Sequence, residues 1–131
     1  MTSFNVGQNN YEITPTGINN NEVVIGYFTN YENSRTGFIR EGSGKIKTFT
    51  LPKAVVVLTE NITDSGLFAG TYYDKSWVRK APPHSFFAKS ARNTKNLKAP
   101  GCAHTIAGGI NIHGDIAGSC LEKPLGFIRT P

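Results

Sequence analysis

The chain carries three histidines and two cysteines. These residues offer the most obvious chemistry. His84 or His104 can act as a general acid or base near neutral pH. His113 stands between Ile112 and Gly114 in a tight turn, where its first reading is a turn residue. Cys102, His104, His113 and Cys120 can be drawn as a zinc set, but their spacing lacks the short ligand pairs of zinc templates. No metal or other cofactor is therefore expected. The two cysteines can form one disulfide or stay as thiols. Nothing else in the chain speaks for secretion, so free thiols are the expectation. Asp64, Asp74, Asp115 and the scattered glutamates mark out no facing pair of the kind a glycosidase needs. There is no nucleophile elbow, phosphate loop or HExxH motif. An enzyme with a histidine-based site therefore ranks behind binding functions.

The second chemical concentration is Thr71-Tyr-Tyr-Asp-Lys-Ser-Trp-Val-Arg-Lys-Ala-Pro-Pro-His-Ser-Phe-Phe87. It holds Tyr72, Tyr73, the only tryptophan at Trp77, Arg79, Lys80 and His84. Aromatic rings interleaved with cations can stack a sugar or a nucleobase, or anchor a protein partner. The alternative is that the rings cap the core beneath a long loop. Cations continue downstream: residues 75–98 hold seven of the fourteen, with no acid among them. The net charge of +5 is thus a local patch, since the remainder balances seven cations against nine acids. That stretch reads either as a docking surface or as a solvated basic loop.

The 131 residues suffice for one domain with a modest core. No apolar run approaches the ~20 residues of a membrane span, so no membrane partner is expected. The opening residues lack a basic region followed by an apolar core, so no signal peptide is read there, and the compartment stays open between cytoplasm and a mature secreted form.

What positions these residues is a repeated phrase. With Gly17, Asn61 and Gly109 in register, Ile18, Ile62 and Ile110 coincide, as do Asn19, Thr63 and Asn111, and then Gly26, Gly70 and Gly118. A second marker follows: Gly37-Phe38-Ile39-Arg40 matches Gly126-Phe127-Ile128-Arg129, with Ser85-Phe86-Phe87-Ala88 as the divergent middle copy. Periods of 20–50 residues mean repeat architectures. The expected units are 17–60, 61–108 and 109–131, the last completed by 1–16.

Each unit reads as four short strands, exemplified by 22–28, 36–41, 45–51 and 54–62. They are rich in β-branched and aromatic residues and separated by Asn, Asp, Gly and Pro. No stretch shows a helical period. The recurring glycine falls inside a strand, which marks a bulge or the close approach of another backbone. Phe4-x-Val6 resembles Phe49-x-Leu51, so the N-terminus is expected to supply the strands missing from the last copy and close a ring.

The pattern G-I-N-x-x-G-x-I-x-G, followed by G-F-I, resembles the extracellular HAF repeats. The likeness spans nearly the whole chain, best at 17–26 and 109–118, and departs at Asn61, Thr63 and His84-Ser85-Phe86-Phe87. It implies β-propeller-like blades and an extracellular setting, and carries over no catalytic residue. The expected fold is all-β: three four-stranded antiparallel repeats in a closed three-bladed ring, or half of a six-bladed homodimer, with a β-trefoil as the alternative. The expected function is a non-catalytic binding module, lectin-like, taking glycan through 71–98. The alternatives are a protein-binding inhibitor or effector, a nucleic-acid version of the same surface, and a small enzyme at the ring centre.

Overall fold

A computed structural model describes residues 1–7, 12–30, 33–74 and 81–131. Among these residues the chain is all-β, with no helix. The strands are β1 Glu12–Ile18, β2 Val24–Thr29, β3 Arg35–Arg40, β4 Ile46–Phe49, β5 Val56–Ile62, β6 Phe68–Tyr73, β7 His84–Ser90, β8 Asn93–Leu97, β9 Thr105–Ile110, β10 Ile116–Cys120 and β11 Gly126–Arg129. β1 to β4 form one antiparallel meander. β5 to β8 form a second, and β9 to β11 a third. One parallel bridge, Arg35 on β3 to Val56 on β5, joins the first two. None of these sheets closes into a barrel.

The framing of the sheets differs from the sequence expectation. Segment 54–62 opens the second sheet by pairing with β6, rather than completing the first. The antiparallel ladder follows the tight turn at 63–67, and a hairpin binds its two strands more closely than a connection through Leu51–Val55 can.

The turns explain the repeated phrase. In each, the first residue's N–H donates to the carbonyl four residues on: Asn19 to Val23, Thr63 to Leu67 and Asn111 to Asp115. The fourth residue's N–H donates back to the first: Glu22 to Asn19, Gly66 to Thr63 and Gly114 to Asn111. The Asn19 side chain accepts from the N–H groups of Asn21 and Val23. Asn111 does the same for His113 and Asp115. Thr63 keeps part of this role, its hydroxyl accepting from the Leu67 N–H at 3.0 Å. A short side-chain acceptor at the turn's first position is what these backbone donors require.

The in-strand glycines mark close approach. A β-carbon on Gly26 would sit 2.3 Å from the Thr14 carbonyl oxygen and 2.7 Å from the Phe38 ring. Gly70 is pressed likewise between Leu58 and Phe86, and Gly118 between Ile106 and Phe127. The irregularity itself lies in the strand before, or at its junction with the glycine strand, at Pro15/Gly17, Thr59/Ile62 and Ala117/Gly118.

The core is two seams between sheets. Ile25, Ile39, Phe49 and Leu51 of the first sheet and its trailing turn meet Val57, Phe68, Phe86 and Ala88 of the second. Ala69 and Leu97 of the second meet Ala107 and Ile116 of the third, with Phe87 and Phe127 packed alongside.

The N-terminus departs from the closure expectation. Residues 1–7 form no strand and do not pair with β11. Instead Phe4 packs edge-on against Phe38, ring centroids 5.8 Å apart, beneath the Arg40 guanidinium at 5.4 Å.

Candidate functional site

β6 and β7 pair with Tyr72 opposite His84. Directly opposed side chains on one sheet face lie close together, and here they stack, centroids 5.1 Å apart with 28° between planes. Phe86 lies at 6.4 Å from Tyr72 on the core side, and His104 at 6.3 Å from His84 on the outer side. The result is a ladder of rings running from the core to the surface. Hydrogen-bonding groups border it. The Tyr72 hydroxyl donates to Asn96 Oδ1 at 3.2 Å. Asp74 lies 4.0 Å from His84 Nε2, and Glu122 lies 3.6 Å from His104 Nδ1. Burial, with the Asp74 charge nearby, pushes the Tyr72 phenol up from its ordinary value. It therefore stays protonated at neutral pH as a donor.

Glu122 is held in place by the chain that precedes β9. Its carboxylate accepts from the N–H groups of Ala103 and His104. Partial desolvation opposes ionisation there, but those donors and the neighbouring imidazole outweigh it, so its pKa lies below the ordinary range.

Of the residues singled out in the sequence, Tyr72, His84 and His104 come together. Tyr73 is next along β6, so its side chain leaves from the opposite face. Trp77, Arg79 and Lys80 lie outside the described residues. Asn96 and Glu122 join the ladder from β8 and from the stretch after β10. No spacing announces them, because only cross-strand register and the fold of residues 98–104 bring them there.

Among the described residues of 71–98 the cations spread along the β7–β8 hairpin: Lys98 follows Leu97, which pairs with Ser85 beside His84, Lys95 lies opposite Phe87, and Lys89 and Arg92 flank the turn, about 20 Å from His84 at strand rise. At that far end Lys45, Lys47 and Thr48 face Ser90, Ala91 and Arg92 across a cleft of about 590 Å³ between the first and second sheets. The basic residues at this end therefore come from both the first and the second sheet.

A third feature shares this end. The phrase turns of all three units border one depression of about 390 Å³, lined by Ile18, Ile62 and Ile110 with Asn19, Thr63 and Asn111. Turn is bound to turn: Asn20 donates to Asp64 through its backbone and side chain, each at 2.8 Å, and Asn19 donates to the Thr63 carbonyl at 2.9 Å. The Asn20 donors lower the Asp64 pKa. Below the turns, burial raises the carboxyl of Glu60 on β5.

The cysteines depart from the thiol expectation. Cys102 and Cys120 are joined as a disulfide, Cα atoms 5.7 Å apart. Glu122 is the third member of that cluster, but both sulfurs are committed to each other. His113 sits in the turn at the other end of the third sheet, away from this cluster. Among the described residues, no helix is long and apolar enough to cross a membrane. No family model, curated protein or solved structure matches this chain.

Proposed function

We propose that the chain is a non-catalytic binding module of three blade-like repeats that takes carbohydrate at the Tyr72–His84–His104 ladder. The stacked Tyr72–His84 pair, bordered by Asp74, Asn96 and Glu122, carries this reading. A sugar offers an apolar C–H face to an aromatic ring and hydroxyls to carboxylates and amides at its edge. The ladder supplies both kinds of partner within one patch. Trp77, Arg79 and Lys80 connect Asp74 to Ala81 and enter the proposal on their chemistry alone. The HAF-like phrase supports the blade reading, and a disulfide suits the oxidising surroundings that such a resemblance implies. A screen against immobilised glycans tests the function. A hit should weaken about tenfold or more in Tyr72→Ala, with the circular dichroism spectrum unchanged. A folded protein that binds no glycan, or binds equally well without Tyr72, sinks it.

A partner-protein or polyanion reading has its own observation, the Lys45, Lys47 and Arg92 cleft. Binding there would fall steeply with added salt, whereas sugar stacked on the ladder would hold its affinity.

A further inference from the structure

At each of the two seams the trailing face of one unit meets the leading face of the next. Paired Ile25 and Ile39 of the first sheet face the second. Paired Ala69 and Phe87 of the second face the third. The equivalent pair in the third sheet is Ala117 and Ile128, and there it faces solvent. Ile39 is 9% exposed, while Ile128 is 76% exposed.

The opposite end of the molecule carries the matching half. Phe38 on the leading face of the first sheet occupies the place that Phe86 holds in the second. Phe49 packs on Phe86, centroids 6.1 Å apart. Phe4 packs on Phe38 at 5.8 Å. Arg40 over Phe4 repeats Arg129 over Phe87. Phe4 thus stands where the trailing face of a preceding unit would stand.

One slot remains. The Phe49 ring covers Gly37, its direct neighbour across β3 and β4, so closely that a β-carbon there would lie 2.4 Å from it. Gly126 is the equivalent glycine, and the nearest atom to a β-carbon there is a backbone oxygen at 3.7 Å.

We propose that a second copy of this chain closes the ring. Residues 4–6 of one copy add to the β11 edge of the other, setting Phe4 over Gly126 of the second copy. Ala117 and Ile128 of that copy then meet Val24 and Phe38 of the first. The contact recurs reciprocally, which gives a closed two-fold dimer with six units. A second copy is the occupant chosen because both halves of the contact, already used twice inside the chain, are present on one molecule.

Light scattering on the wild-type protein at micromolar concentration tests this, with Ile128→Glu as the variant. The expected wild-type mass is twice 14.2 kDa. Ile128→Glu should weaken association by about a hundredfold, because a carboxylate would be buried unpaired. It should stay folded, since residue 128 is solvated in the single chain. A wild-type mass of 14.2 kDa, or a dimer that Ile128→Glu leaves intact, overturns the proposal.

Discussion

At position 22 a glutamate holds a backbone conformation that the other two units assign to glycine. Its φ is 59°, against 86° at both Gly66 and Gly114. A β-carbon in the left-handed region costs about 1 kcal/mol. Relief of that strain is partly offset by the greater freedom glycine has when unfolded. Glu22→Gly should therefore stabilise the protein by roughly 0.5 kcal/mol, seen as a higher urea midpoint with an unchanged slope. The repeated phrase made this position legible, because it placed residue 22 in register with two glycines. Thr63 was legible for a similar reason: it departs from asparagine yet retains an acceptor oxygen. The stacking of Tyr72 on His84 was not legible. It depends on which residue of β7 falls opposite Tyr72, and the eleven intervening residues leave that register open.

Strands were read well where alternation and turn residues agreed, as at 45–51, observed as Ile46–Phe49. Grouping them into sheets was harder, because continuous apolar runs such as Ala54–Leu58 suit a strand in either neighbour. The third sheet is the exposed element. It has three strands, and β11 leaves its side chains alternately exposed and half-covered. The Cys102–Cys120 disulfide ties the approach of β9 to the end of β10 across 18 positions. Closing a loop of that size stabilises by about 3 kcal/mol in the chain-entropy account. Reduction should lower the unfolding free energy by about that amount, and raise amide exchange in 105–129 before it does so in 12–49. Exchange that quickens equally throughout would mean the disulfide serves the whole molecule at once. The pairing was hidden in the sequence because two cysteines carry no framework, and their approach depends on the turn at Gly101, where φ is 71°.

The first two units are held together at their turns partly by a carboxylate, which makes their docking sensitive to acid. The backbone and side-chain donors of Asn20 hold Asp64 below its ordinary value near 3.8. A lowered folded pKa means the unfolded chain binds the proton more readily, so the stabilisation is present above pH ~4 and lost as the pH falls below it. Asp64→Asn should flatten that part of the stability–pH curve by lowering the neutral region while leaving the acid end little changed; unfolding midpoints measured from pH 2 to 7 check it, and parallel curves would discount the contact. The recurring phrase and the turns it forms were legible in the sequence, whereas the docking of residues 1–7 on the first sheet was not. Phe4 has the same apolar chemistry for either neighbour. The glycine–phenylalanine pairs have one more consequence. Gly26–Phe38, Gly70–Phe86 and Gly118–Phe127 keep the same cross-strand partnership although the sequence between partners differs in length each time. The spacing between partners is therefore free to vary while each ring stays seated on its glycine, so the chain can change length between these strands without losing the seat that orders the sheet.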